Sequence, residues 1–205
     1  MAIRHKLRIA AAGVALILTA ASICAGAIEM SAALKVADIQ PNGKLRKPAD
    51  LSNWVFLGTS LGMGYNPGSF NAANPGQFQV VLMEPKAFEH FQQHGNYAPG
   101  SMFVLAFYGA DTQKRSNNQR GFTQGDLTNF EIHYIGEGAG EDRHVFYMFG
   151  ADDTEGTPLP PKNSCVRCHV DHGAFGGTFA QFYPVIRKQI PKEALEHASK
   201  VEDIR

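Results

Sequence analysis

The chain has 205 residues, with 19 Lys+Arg against 19 Asp+Glu, three cysteines and one tryptophan. That length suits one domain or two and can bury a core without disulfide staples; the composition excludes collagen-like, disordered and disulfide-dense proteins. A formal net charge of zero argues against a nucleic-acid-binding surface.

The N-terminus reads as an export signal. Arg4, Lys6 and Arg8 precede an uncharged run from Ile9 to Ile28, and Ala25-Gly26-Ala27 offers a small-residue cleavage site. The run is long enough to approach a membrane span. It is rich in alanine, however, with Gly13, Thr19 and Ser22, and so is weakly hydrophobic for a permanent anchor. The expectation is a signal peptide over 1–27, a lead-in over 28–52 and one domain over 53–205. Cys24 then leaves with the signal. Three basic residues leave with it, so 16 Lys+Arg face 19 Asp+Glu, and two cysteines remain. The product is expected in a periplasm, where disulfides and covalent haem attachment are both feasible.

The lead-in is polar, with a helical turn expected near Ser31–Ala37. Trp54 to Gly58 begins a strand. A Gly/Pro-rich loop from Gly62 to Gly76 follows. Gln77 to Met83 alternates around Phe78, Val80 and Leu82 and predicts a strand. Pro85 opens a helix with Ala87, Phe88 and Phe91 on one face and Gly95 as its stop. Met102 to Tyr108 is a buried strand, and Asp111 to Gly125 is polar and turn-rich. Phe130, Ile132 and Tyr134 alternate with Glu131 and His133, predicting another strand. Gly136–Gly140 is a turn. Val145, Tyr147 and Phe149 face one side of the next strand, and His144, Phe146 and Met148 the other. Asp152 to Asn163 is irregular. Phe179, Phe182, Tyr183, Ile186 and Ile190 carry helical spacing, and Pro191 starts a last short helix. The fold expected is α+β, mainly β. It has an antiparallel sheet of about five strands, a helix between two of them, and a helical C-terminus.

That C-terminus carries Cys165-Val166-Arg167-Cys168-His169, the C-x-x-C-H pattern of c-type haem attachment. Two thiols at this spacing reach the two vinyl groups of one porphyrin edge. The histidine that follows is placed to bind iron. The expected cofactor is one covalent haem c per chain, held by Cys165, Cys168 and His169. A zinc site would need further ligands, with His172 and Asp171 at hand. A thioredoxin-like redox pair would need a βαβ context. Only 36 residues follow His169 and none is methionine. A downstream methionine ligand, as in small electron-transfer cytochromes, is therefore missing.

With these features in order, the chain resembles the cytochrome P-460 family and its gas-binding relatives, the cytochromes c-prime-beta. The resemblance runs from about Asn53 to Arg187. It rests on Trp54-Val55 with Gly58-Thr59, Glu84-Pro85 with Ala87-Phe88, Gly95 and Gly100, the late haem motif, and Phe179-x-x-Phe182-Tyr183-Pro184-Val185. It implies a mostly β monohaem protein, often a homodimer, with His169 as proximal ligand. Family members bind or oxidise small nitrogen compounds such as hydroxylamine and nitric oxide. The lysine that hydroxylamine-oxidising members join to haem falls at Leu105 here, and an arginine of those members falls at Gln79. The nearest lysine, Lys114, lies in the polar loop. The family's distal acid has no assigned position; Glu155 and Asp171 are the nearby carboxylates.

An open iron face walled by Phe70, Phe78, Phe103, Leu105 and Phe107 would favour neutral diatomics. Each of these also suits ordinary core packing. His90, His94 and His197 read as surface residues. His144 and His172 are candidates for the pocket, and Arg143 and Arg187 for the haem propionates. Three functions follow. The first is an exported five-coordinate cytochrome that binds nitric oxide or a related ligand and exchanges electrons with a periplasmic partner. The second is a hydroxylamine-oxidising enzyme. The third is a six-coordinate carrier using Met63, Met83, Met102, Met148 or a histidine.

Overall fold

The computed structural model describes residues 33–64, 75–112 and 121–199. The described residues belong to one compact unit. The expected signal segment with Cys24, and also Phe70 and Lys114, lie outside the described residues. Among those residues no helix is long and apolar enough to cross a membrane.

Seven strands form one sheet: β1 (Leu45–Arg46), β2 (Val55–Leu61), β3 (Phe78–Met83), β4 (Ser101–Thr112), β5 (Phe122–Ile135), β6 (His144–Gly150) and β7 (Glu155–Pro158). Their order is β1-β7-β6-β5-β4-β3-β2, and every pairing is antiparallel. The fold is thus mainly β, as expected, with two more strands than the alternation pattern reveals. Both extra strands are short and drawn from polar segments. β4 and β5 also reach further into the polar stretch than expected, to Thr112 and from Phe122.

Three α-helices accompany the sheet: α1 (Pro85–His94), α2 (Ser164–His172) and α3 (Lys192–Ser199). The Glu84 carboxylate accepts from the Ala87 N–H at 2.8 Å, Pro85 fills the first turn, and Gly95 closes α1 in the left-handed conformation. Residues 33–38 form no regular element, so the turn of helix expected near Ser31–Ala37 does not form over its described part. The helical spacing after Phe179 resolves into two 3₁₀ turns, Ala180–Phe182 and Arg187–Gln189, not an α-helix. Pro184 and Pro191 lack the N–H that a continuous helix needs.

The pleat divides the apolar residues into two cores. On one face Leu57, Met83, Phe91, Phe103, Tyr183 and Ile186 pack together beneath α1 and the C-terminal turns. On the other, Leu45, Met102, Val104, Phe130, Ile132 and Phe149 pack under the N-terminal segment. Strand alternation places Val81, Leu105, Phe107, Glu131, His133, Phe146 and Met148 on the first face.

Candidate haem site

α2 begins at Asn163, whose side-chain oxygen accepts from the N–H groups of Cys165 (2.8 Å) and Val166 (3.2 Å). Val166 is buried against the body, which fixes the helix's rotation and leaves Cys165 and Cys168 half-buried free thiols. Burial pushes the Cys165 thiol up, and the nearby Glu131 carboxylate pushes the same way. Burial raises Cys168 too, followed by the charges of Cys165 and Asp171.

His169 is held by a hydrogen bond and by aromatic neighbours. Its Nδ1–H donates to the Gly177 carbonyl at 2.8 Å. That bond fixes the tautomer and leaves the Nε2 lone pair for a metal. Burial lowers the His169 pKa, and the bond to Gly177 partly opposes this. Phe146 and Phe179 lie at 4.7 Å between ring centroids, and His133 stands edge-on at 5.0 Å. The ring therefore has a fixed plane before any ligand binds.

The sheet face opposite carries a cross-strand row: Val81 beside Leu105, Leu105 beside Glu131, Glu131 beside Met148. The next row runs Met83, Phe103, His133, Phe146. Leu105 and Phe107 are half-buried, whereas Phe103 is buried against Tyr97. Phe78 corrects the expected wall. It pairs with Tyr108, on the pleat face opposite to Leu105, and so cannot share a pocket with Leu105 and Phe107. Gln79 pairs with Phe107 and does share that face.

Glu131 is a carboxylate on this face that sequence reasoning does not single out. Burial raises its carboxyl pKa. Glu155 lies instead in β7, paired with Arg46 at the far edge, and Asp171 is exposed on α2. The visible signal for Glu131 was a charge within an apolar strand. Its meaning needs the β4–β5 register, which the sequence does not print.

His133 and His144 were not expected to form a pair. His133 Nε2 lies 2.9 Å from His144 Nδ1, and both rings are buried. Burial lowers His133 well below the ordinary range, helped by His169, His144 and Arg143. Burial, then Arg143 and His169, lowers His144 to about 4. The Arg143 Nε is buried without a hydrogen-bond partner among the described residues, as is His172 Nδ1. Arg187 is exposed in the second 3₁₀ turn. The His90 and His94 rings lie 4.3 Å apart, tilted by 31°, near the end of α1.

The donor set fits a haem. Two free thiols stand one helical turn apart, and the adjacent imidazole presents Nε2 with its other nitrogen anchored. A half-buried apolar row faces them. Among the described residues no group of three or more His, Cys, Asp or Glu side chains is placed to hold a metal ion. No match was found among curated proteins. Residues 48–179, more than half of the chain and including the whole Cys165–His169 motif, match the family model for Cytochrome P460. This chain, a haem-binding cytochrome by that match, belongs to the cytochrome P460 family.

Proposed function

We propose that the protein is an exported c-type monohaem cytochrome that binds nitric oxide or a related small nitrogen compound at five-coordinate iron. Cys165 and Cys168 would hold one haem per chain through thioethers, and the His169 imidazole would ligate its iron. The observation that carries the reading is the His169–Gly177 bond of 2.8 Å, immediately after the second motif thiol. It leaves Nε2 unprotonated and aimed by a rigid shell. Bound there, the iron supplies one-electron exchange and a position for a neutral ligand.

Leu105 supports ligand binding over hydroxylamine oxidation, because a leucine cannot form the lysine link that the resemblance implies for oxidising members. The aliphatic and aromatic wall of Val81, Leu105 and Phe107 favours uncharged diatomics over ions. Met83 and Met102 are fully buried in opposite cores, which disfavours either as a sixth ligand. Met148 shares the face with Glu131, so the ferrous spectrum is the discriminating measurement. Export to a periplasm, a redox partner there and a homodimer complete the proposal. They rest on the basic and apolar N-terminal run and on the family resemblance.

The test is the absorption spectrum of the purified ferrous protein with and without nitric oxide. A high-spin spectrum that shifts on adding nitric oxide supports the proposal. A low-spin spectrum with sharp bands and no shift would falsify it. Covalent attachment has its own arm: haem extracted by acid acetone, or retained as well by the Cys165→Ala/Cys168→Ala double variant, excludes thioether bonding.

A further inference from the structure

The loop after α2 is held against the sheet by contacts that converge on one carbonyl. Gly177 has φ +71°, a conformation that L side chains rarely adopt, and it turns its carbonyl onto His169 Nδ1. There is no room beside it: a Cβ on Gly177 would lie 2.4 Å from His144 Cε1 and 2.8 Å from His144 Nε2. The His144 ring is therefore the surface on which the Gly177 backbone rests.

That ring cannot turn freely. Its Nδ1 is bonded to His133 Nε2 at 2.9 Å. His133 is clamped in turn by Phe146, stacked at 4.4 Å and 12°, with Phe103 tilted at 6.1 Å on the same sheet face. The other side of the loop is tied as well. Thr178 Oγ1 lies 3.1 Å from the Tyr97 hydroxyl, and Thr178 N–H donates to the Phe175 carbonyl at 2.9 Å. Two strand residues far from α2 in sequence thus determine where a loop carbonyl sits.

We propose that His144, braced by His133, is a positioning residue for the iron ligand: its ring seats the Gly177 carbonyl that holds His169 Nδ1–H. This rests on the reading of His169 as the axial ligand. A carbonyl at full hydrogen-bonding distance increases the electron density at Nε2. It strengthens the iron–imidazole bond and favours the ferric state. Loosening the seat weakens both effects without touching His169.

The test uses the haem-loaded full chain and three variants. His144→Ala removes the seat. His144→Asn loses the ring but keeps a group that can bond His133. Gly177→Ala forces the loop off the ring. The readouts are the midpoint potential and the ferrous iron–histidine stretching frequency, with the thermal midpoint recorded beside them. The expected result is a higher potential and a lower stretching frequency in His144→Ala and Gly177→Ala, with a smaller shift in His144→Asn. Wild-type values of both quantities in folded His144→Ala overturn the inference. If His144→Ala does not fold, unchanged values in His144→Asn and Gly177→Ala overturn it equally. Failure of the underlying reading looks different: His169→Gly would then keep the wild-type haem spectrum.

Discussion

Glu131 stands directly across from Leu105 in the β4–β5 ladder, on the sheet face that Cys165 overlooks. One position is aliphatic where the family resemblance implies a cross-linking lysine. Its neighbour is a carboxyl held partly out of water. The pair gives the face a hydrophobic centre with one proton-carrying group at its side.

The first prediction concerns that carboxyl. Burial raises its folded pKa above the ordinary carboxylate value. At low pH the group is protonated in folded and unfolded chains alike. As pH rises, the unfolded chain ionises first, so burial of Glu131 becomes a growing cost to stability. Glu131→Gln should therefore match wild type near pH 4 and be the more stable protein near pH 8. Urea unfolding midpoints at the two pH values measure the difference. An equal offset at both would show that Glu131 acts through packing alone.

Gly58 sets how closely the C-terminal segment approaches the sheet. It lies at an irregularity in the β2–β3 register, and a Cβ there would be 3.0 Å from the Phe182 carbonyl oxygen and 3.1 Å from Pro184 Cδ. The Val185 N–H reaches the Leu57 carbonyl beside it. Gly58→Ala should lower the urea midpoint at constant m-value, by a cost of about 1–3 kcal/mol for overpacking. An unchanged midpoint would mean that residues 182–185 can lift off β2 without loss.

The cap of α2 should matter beyond its size. Asn163 satisfies two N–H groups at the start of the helix that bears both thiols and His169. Asn163→Ala should cost about 1 kcal/mol, and Asn163→Asp should retain most of the stability. Because the cap orders the Cys165 turn, the alanine variant should also yield a lower haem-to-protein ratio after expression. Heme staining normalised to protein measures that ratio. Equal ratios in both variants would show that attachment tolerates a frayed first turn.

Local signals made part of this architecture legible. Glu84-Pro85, the Ala87/Phe91 face and Gly95 specify α1 within a few residues, and Cys165–His169 declares its chemistry within five. The alternation at Val145–Phe149 assigned both faces of β6 correctly. What failed was non-local. Phe78 suits a pocket wall by its type, but the β3–β4 register sends it to the other face. Glu131 and Leu105 become neighbours only through strand pairing across a long hairpin. The His133–His144 pair and the Gly177 carbonyl depend on three segments meeting. The helical spacing after Phe179 holds as a pattern of burial at Tyr183, Ile186 and Ile190, whereas Phe182 is exposed. The 3₁₀ turns satisfy that pattern while accommodating the two prolines.

The last prediction follows the buried histidine pair into acid. His144 has its pKa lowered from 6.5 to about 4, by burial first and then by the charges of Arg143 and His169. His133, bonded to it, is lowered as well. Below pH 6.5 the unfolded chain takes up a proton on the residue-144 imidazole, while the folded chain resists until about pH 4. Stability is therefore retained above pH 6.5, falls through the window from 6.5 to 4, and gains no further loss from this group below it. In His144→Gln the glutamine can bond His133 but cannot titrate. Its unfolding midpoint should start below wild type at pH 7.5 and decline less steeply between pH 6.5 and 4. Parallel curves for the two proteins across that window would show that His144 is protonated in the folded protein as readily as in the unfolded one. The buried neutral pair would then be wrong.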